Sequence, residues 1–241
     1  MNIKKILFGA VILIVLYVFY TTVFADKSKT NLVDLHNALN NTVSINATKL
    51  SGSASADYTY SLWVYVNDYN KQYGEEKIIL QRRTALGDTN IFYPKISLGE
   101  NQNDLKIALA EAVATGESPT DVTHHNITVH NIPLQKWCQV IMTKSGKTID
   151  VYLDGKLIKT SIMSKPAFPI DATVDVEITP KPGFSGYISK VNYFSNAINS
   201  REAYQLYKEG YGSGFLGNFF NRFKLKFAFM QDNQEKSSII L

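Results

Sequence analysis

The sequence between residues 137 and 160 restricts the fold more than any other stretch of the chain. It reads WCQVIMTKSGKTIDVYLDGKLIKT, and its apolar and polar residues alternate around two tight turns. A period of two is typical of half-buried β-strands. Asp154 followed by Gly155 is typical of a type I′ hairpin turn, whose two central residues need positive φ. We therefore predict a three-stranded meander, which needs a partner sheet to be stable.

Similar strand patterns precede and follow this meander. YTYSLWVYV at 58–66 alternates strongly and contains Trp63. A helix is predicted after Asn199, because Glu202 completes a capping box and Gly210 supplies the end signal. Further strands are expected near residues 77–81, 91–98, 105–110, 126–132, 172–178 and 186–194. Many short strands with one late helix predict an all-β fold, an antiparallel two-sheet jelly-roll sandwich.

An uncharged apolar run, ILFGAVILIVLYVFYTTVF, occupies residues 6–24. Its 19 residues approach the roughly 20 that a helix needs to span a bilayer. We predict a retained transmembrane anchor over residues 1–25, because the run exceeds the roughly 7–15 residues of a signal-peptide core. A cleaved signal peptide and the orientation in the membrane remain open. The anchor residues singled out are Ile6, Val11, Ile14, Leu16 and Phe19.

The anchor defines the expected domain organisation. Residues 26–56 are polar and rich in small residues, so we expect a stalk, in which leucines at positions 32, 35 and 39 have the spacing of a short helix. The folded domain is expected at 57–211, followed by an aromatic and basic tail at 212–241. The tail pattern fits a membrane-surface helix, a terminal strand, or packing on the domain or a neighbour. We favour packing, because its basic charge is modest.

Charge and cysteine content exclude some classes of function. The net charge of +4 is mild and the body has no basic stripe with interleaved aromatics, so we predict no nucleic-acid partner. The chain has one cysteine, Cys138, and therefore no intrachain disulfide. It follows Trp137 within an apolar stretch, so we expect a buried, unreactive thiol.

The body of the chain, about residues 58–210, resembles the laminin-G-like branch of the concanavalin A-like lectin/glucanase superfamily. The resemblance rests on SLWVYV at 61–66, IPLQKW at 132–137, VYLDGKL at 151–157, FSGYISKV at 184–191 and LYKEG at 206–210. Its signature residues are Trp63, Trp137, Asp154, Gly155 and Gly186. It implies two curved antiparallel sheets that bind carbohydrate or protein. With its anchor and tail, the chain also resembles proteins of large double-stranded DNA viruses, some of which are virion components.

The glucanases of this superfamily require two carboxylates that face one glycosidic bond. In those enzymes they lie on one strand as Glu-x-Asp-x-Glu, whereas Asp175-Val176-Glu177 lacks the third acid. We interpret this pair as the solvated side of a strand, and we predict no catalytic residue and no enzyme activity. Histidines 124, 125 and 130 have no zinc-like partner spacing and are expected in a loop and at a strand edge. No cofactor is predicted, although rim calcium, known in some laminin-G-like domains, stays open without assignable residues.

Sugar sites in such sandwiches combine an aromatic surface with a few polar groups. Tyr69 and Tyr73, in the loop at 67–76, are the candidate ligand-binding residues, and the loop at 116–125 is a second candidate region. We predict a non-catalytic, single-pass module whose partners are a lipid bilayer and either protein neighbours or a glycan. The favoured setting is a virion, as a minor capsid or internal-membrane-associated protein. The alternative is a carbohydrate- or protein-binding adhesion module at a cell surface, and a glycoside hydrolase ranks behind both.

Overall fold

The computed structural model describes residues 28–86, 89–113, 122–212, 226–231 and 234–240, together with residues 12, 15 and 16. Within this part of the chain, two six-stranded antiparallel sheets carry most of the secondary structure. The sheets face each other across one core, and a short helix follows the last strand of the sandwich.

Each sheet combines strands that are distant in the sequence. Sheet A has the order β1 (Lys29–Asn37), β12 (Ser185–Phe194), β3 (Tyr58–Asp68), β8 (Cys138–Ser145), β9 (Thr148–Leu153) and β10 (Lys156–Ile162). Sheet B has the order β2 (Val43–Ile45), β11 (Val176–Ile178), β4 (Lys77–Leu86), β5 (Thr89–Leu98), β6 (Leu105–Ala110) and β7 (His124–Val129). Helix α1 is Ser200–Lys208, and β13 (Lys226–Gln231) pairs with β14 (Gln234–Ile240). The prediction of an all-β, antiparallel two-sheet sandwich with a short late helix is confirmed.

Alternation along β3 shows how the core is built. The side chains of Tyr60, Leu62 and Val64 point into the space between the sheets and are buried there. The intervening Trp63 and Tyr65 therefore lie on the outer face of sheet A. Burying a large apolar side chain contributes about 1.5–3 kcal/mol, so the many strands that share this pattern hold the sheets together.

The predicted meander is the β8–β9–β10 segment, and its second turn has the expected geometry. Asp154 and Gly155 have φ values of 48° and 73°, which a type I′ turn requires. Asp154 also does more than form the turn. Its Oδ1 accepts a hydrogen bond of 2.9 Å from the backbone N–H of Gln139, where β8 begins.

Helix α1 covers the outer face of sheet A beside this hairpin. Its N-terminus has the predicted capping box, in which the Asn199 side chain accepts from backbone N–H groups and Glu202 accepts from the Asn199 N–H. Ala203 packs with Ile141 and Tyr152 on the sheet. A Cβ at Gly155 would lie 2.8 Å from Cβ of Tyr207, so the glycine permits the helix to approach.

Residues 29–56 belong to the sandwich, which corrects the expectation that residues 26–56 form a stalk. The stretch predicted as a short helix is strand β1, which pairs antiparallel with β12, and β2 pairs with β11. Leucines spaced for a helix face cannot outweigh the backbone hydrogen bonds that a sheet edge offers, since propensity is weak against tertiary context. Ala38, Ile45 and Leu50 are buried in the same core. This stretch is therefore part of the sandwich.

Most of the predicted anchor and part of the tail lie outside the described residues. Of the anchor positions, Leu16 is helical and exposed, whereas Ile6, Val11, Ile14 and Phe19 fall outside. Among the described residues, no helix combines the length and apolar character that crossing a bilayer needs. The transmembrane anchor stays a prediction. In the tail, residues 226–231 and 234–240 pair as the antiparallel strands β13 and β14, in agreement with the terminal-strand alternative.

Candidate functional site

A polar cleft of about 770 Å³ opens at one end of the sandwich. Three connections build it: the loops that follow β3, β5 and β7. Both predicted ligand-binding residues, Tyr69 and Tyr73, line it. The other lining residues are Asn67, Asp68, Asn70, Asn101, Gln102, Asn103, Asp104, His130, Asn131, Leu134 and Gln135.

The two tyrosines have different roles in the cleft. The Tyr69 hydroxyl lies against the carbonyl oxygens of Gly99 and Gln102, which fixes the ring to the neighbouring loop. Burial, followed by the charges of Asp104 and Glu100, raises the pKa of Tyr69 to about 12. Tyr73 has 62 % of its surface exposed. Tyr69 is thus part of the wall, whereas Tyr73 offers a free aromatic face.

A buried lysine ties the loops of the cleft together. Lys77 opens β4, and its ammonium group donates to the backbone oxygens of Gln72, Glu75 and Glu100 at 3.0, 3.3 and 3.3 Å. The same nitrogen lies 4.4 Å from the centre of the Tyr69 ring. Burial lowers the pKa of Lys77, and the Glu100 and Glu75 carboxylates offset part of that shift. Lys77 therefore positions the loop that carries both tyrosines.

Amide side chains dominate the polar lining of the cleft. Five asparagines and two glutamines line it, and each amide can both donate and accept hydrogen bonds. Sugar hydroxyls have the same dual character, so this lining matches a carbohydrate better than a single-sign ionic ligand. The sequence signals are ENQND at 100–104 and HN at 130–131, which sequence reasoning did not single out.

One wall of the cleft is held by Asp104, which is nearly buried. Its Oδ2 lies 2.9 Å from Nδ1 of His130, and its Oδ1 accepts from the Asn131 backbone N–H at 3.3 Å. Asn131 and Gln135 have φ values of 61° and 54°, in the left-handed region that is rare outside glycine. Strained backbone of this kind clusters at ligand-binding sites.

Asp175 and Glu177, the glucanase-like pair, serve the edge of sheet B. Asp175 Oδ1 accepts from the Ala47 backbone N–H at 2.9 Å, and Glu177 Oε2 accepts from the Gln81 amide at 2.6 Å. Both carboxylates thus have partners within the protein, and they hold β2, β11 and β4 together.

His125 takes part in a cluster with the residue types of a hydrolase triad. Its Nε2 lies 2.7 Å from Ser161 Oγ, and its Nδ1 lies 3.7 Å from Glu111 Oε1. The second distance is too long for a hydrogen bond, so the carboxylate does not orient the imidazole. Glu111 instead accepts from the backbone N–H and hydroxyl of Ser164 at 2.9 and 2.8 Å. The cluster joins β7 to β10 across the side of the sandwich.

The remaining titratable candidates are also explained by packing. His124 packs against Phe92 with ring centres 5.2 Å apart, and burial lowers the pKa of His124. Burial raises the pKa of the Cys138 thiol to about 12, which agrees with the predicted buried, unreactive cysteine. In the part of the chain that the structure describes, no group of three or more His, Cys, Asp or Glu side chains could hold a metal ion.

A second concavity, of about 500 Å³, lies at the opposite end of the sandwich. Its walls are mainly apolar and include Tyr93, Leu109 and Phe168. The buried Lys144 at its edge already donates to the Ala56 carbonyl at 2.6 Å. This concavity therefore has few free polar groups that could orient a ligand, in contrast to the cleft.

Comparison with known families and structures places the sandwich in a wider group. Residues 37–203 match the Laminin G 3 family model, described as concanavalin A-like lectin/glucanases superfamily. A comparison with curated protein sequences gives no significant match.

Solved structures with a similar fold include binding domains of botulinum neurotoxins. The serotype G binding domain matches with a TM-score of 0.54 and 17% identity, covering 77% of this chain and 47% of that one. The receptor-binding domain of the C/D mosaic serotype gives 0.53 and 12%, covering 73% and 42%. The serotype D ligand-binding domain in complex with N-acetylneuraminic acid gives 0.50 and 13%, covering 74% and 46%. The chain spans less than half the length of these structures, and the likeness shows the fold.

Proposed function

Because this chain belongs to the concanavalin A-like lectin/glucanase superfamily, we propose that it is a non-catalytic binding module whose polar cleft recognises a carbohydrate. The observation that carries the proposal is the combination of Tyr73 with the amide lining. An exposed aromatic ring can stack on the apolar face of a sugar, while convergent amides bind its hydroxyls.

Two further observations support carbohydrate as the ligand class. The cleft is assembled in advance, because Lys77 and Asp104 hold its loops in place. A preorganised site loses less entropy on binding, which matters for weak sugar ligands. In addition, the similar serotype D domain was solved with N-acetylneuraminic acid, a sugar.

The test is binding of the full-length protein, in detergent or nanodiscs, to a glycan array, followed by calorimetry on the best ligand. We expect Tyr73→Ala to weaken binding about tenfold, because the stacking surface is lost. Tyr204→Ala removes another exposed tyrosine, on helix α1 and away from the cleft, and should leave binding unchanged. Absence of binding to every glycan, or equal loss in both variants, would overturn the proposal. Capture of a protein partner that depends on Tyr73 would instead support the protein-binding alternative.

We further propose that the module acts at a membrane, held by the apolar run at residues 6–24. A virion setting, beside capsid or internal-membrane proteins, rests on the resemblance to proteins of large DNA viruses. Carbonate extraction of cell membranes tests the anchor, since the full chain should stay in the pellet and a chain lacking residues 1–25 should not. Mass spectrometry of purified virions tests the setting. Detection of the protein only in host-cell membranes would exclude the virion role.

A further inference from the structure

A row of aromatic side chains crosses the outer face of sheet A next to the cleft. Tyr187 on β12 is the direct Cα partner of Tyr65 on β3, and the Tyr65 ring lies 5.6 Å from the Trp137 ring, just before β8. Trp137 in turn stacks on Tyr211, with ring centres 4.8 Å apart and planes 11° from parallel. These four residues, Tyr65, Trp137, Tyr187 and Tyr211, are here called the aromatic face. The sequence motifs marked Trp137 as a fold signature and gave the other three no role.

The aromatic face is open to solvent. Tyr187 and Tyr211 are 42 % and 48 % exposed, and Tyr65 and Trp137 are partly exposed between them. Core packing does not explain these residues, because the inward side chains of the same strands already fill the space between the sheets. Large aromatic side chains that remain exposed together mark an interaction surface.

The support beneath the aromatic face is rigid. Trp63 is buried, stacks on Tyr207 of α1 at 5.6 Å and meets the edge of Tyr211 at 5.9 Å. Ser189 Oγ donates to the Tyr211 carbonyl at 2.7 Å, which holds the segment after α1 against the sheet. The rings are therefore preorganised, and ordering them on binding costs little entropy.

The aromatic face continues into the cleft. Asn67 lies two residues after Tyr65, and Gln135 lies two residues before Trp137. Both line the cleft on the same side of the sandwich. The Gln135 backbone N–H donates to the Val66 carbonyl at 2.8 Å, so the two chain segments run side by side from cleft to rings. A ligand that leaves the cleft along these segments would pass directly over Tyr65 and Trp137.

We propose that the aromatic face extends the cleft into one surface for an oligosaccharide of several units. The inference rests on the proposed function: one sugar occupies the cleft, and the following units stack on the Tyr65, Trp137 and Tyr211 rings. The C–H face of a pyranose packs on an aromatic ring, and the tyrosine hydroxyls can bind the ring substituents. The continuity with amide groups favours a glycan over a bilayer, although Tyr and Trp also occur at membrane interfaces.

The experiment measures how affinity depends on ligand length. Full-length protein is titrated with chito-, cello-, malto- and N-acetyllactosamine oligosaccharides of one to six units. For at least one series, we expect affinity to rise about tenfold or more with length and the tryptophan emission to shift, because Trp137 is one of two tryptophans. Trp137→Ala and Tyr211→Ala should each lower the long-ligand affinity about twofold to tenfold and leave the shortest ligand unaffected. Trp137→Phe should restore most of the loss.

Two control variants separate the inference from the proposed function. Tyr73→Ala should weaken ligands of every length, whereas Ile162→Ala, an exposed apolar change on β10 of the same sheet, should weaken none. Equal affinity for one and six units would overturn the extended surface and leave the cleft site standing. If the wild-type protein binds no oligosaccharide of any length, both the extended surface and the proposed function are overturned. A third outcome would assign the aromatic face to the membrane. In that case the protein binds phosphatidylcholine vesicles, Trp137→Ala and Tyr211→Ala abolish this binding, and glycan affinity does not depend on oligosaccharide length.

Discussion

Lys77 shows how a single buried side chain defines a binding site in this protein. Its ammonium group satisfies three backbone carbonyls from two loops, and its position beside the Tyr69 ring joins those loops to the cleft wall. Buried lysines are rare, because burial disfavours their charge unless hydrogen bonds replace water. The cleft therefore depends on a residue that does not line it.

Replacing Lys77 tests this role. Lys77→Met should lower the free energy of unfolding by about 2 kcal/mol or more, because the three carbonyls lose their donor. The same change should weaken glycan binding, since the loop with Tyr73 is released. Lys106→Met is the control, because this partly exposed lysine also approaches Glu100, at 3.5 Å, and surface ion pairs contribute only about 0–1 kcal/mol. Urea unfolding and calorimetry measure both effects, and equal losses in the two variants would contradict the assigned role.

Glu111 should make the free energy of unfolding depend on pH in the acidic range. Burial raises the pKa of Glu111, but hydrogen bonds from Ser164 and Lys165, with His125 nearby, lower it below the ordinary 4.5. Because the folded-state pKa lies below the unfolded value, this stabilisation is fully present above pH 4.5. It is lost as the pH falls from there through the lower folded-state pKa.

The change that tests it is Glu111→Gln. Urea midpoints measured from pH 7 to pH 3 should fall less steeply in this variant than in wild type, because the titrating group is gone. Glu177→Gln, which removes another hydrogen-bonded acid, controls for a general loss of charge. A slope unchanged by Glu111→Gln would show that the depressed pKa does not contribute.

At the scale of elements, the β9–β10 hairpin and helix α1 depend on each other. The turn needs positive φ at Gly155, and the helix needs the space that a Cβ there would take. The sequence motif DG predicts the turn, but nothing in it predicts the helix contact. Gly186 has a comparable role on β12, since a Cβ there would meet the backbone oxygen of Tyr65.

Two matched glycine substitutions separate these effects. Gly146 has φ 56° in the β8–β9 turn and no atom near its missing Cβ, so Gly146→Ala should cost about 1 kcal/mol from backbone strain alone. Gly155→Ala should cost about 2–3 kcal/mol, because it adds the collision with Tyr207. Thermal unfolding followed by circular dichroism measures both. Equal costs would mean that the helix moves away freely.

At the scale of the whole molecule, the sandwich begins at β1, well before β3, where the sequence pattern predicts the first strand. β1 completes one edge of sheet A, and β2 does the same for sheet B. A chain covering 28–212 should therefore unfold cooperatively, as one domain. A chain covering 57–212, which starts at the domain boundary expected from sequence, loses buried Ile45 and Leu50 at about 1.5–3 kcal/mol each, and both edge strands.

Circular dichroism and denaturant titration of the two chains test this boundary. We expect a sharp unfolding transition for 28–212 and a broad or absent one for 57–212. The free energy lost with Ile45, Leu50 and the two edge strands is a large part of a typical stability of about 5–15 kcal/mol. Removing only residues 1–27 is the internal control, since β1 starts at Lys29. Equal stability of both chains would restore the stalk interpretation.

Much of this fold could be predicted from local pattern, and little of the candidate site could. The meander, the capping box at Asn199 and the sandwich all follow from periods and turn residues that act over a few positions. Tyr69 and Tyr73 were singled out for their loop, and the structure places both in the cleft, while their role in binding stays a prediction. Asn101, Gln102 and Asn131 were not singled out, because strands far apart in sequence bring them to the same cleft as Tyr73.

By itself the sequence determined most of the strands, the tight turns and the inward face of strands such as β3 and β9, because side-chain alternation and positive φ are local properties of the chain. Only the tertiary structure decided that residues 29–37 form an edge strand, that Lys77 joins two loops, and that four aromatic residues form one outer face. Those outcomes depend on which strands become neighbours. Neighbours in a sheet are chosen by the packing of the whole core, which no short stretch of sequence contains.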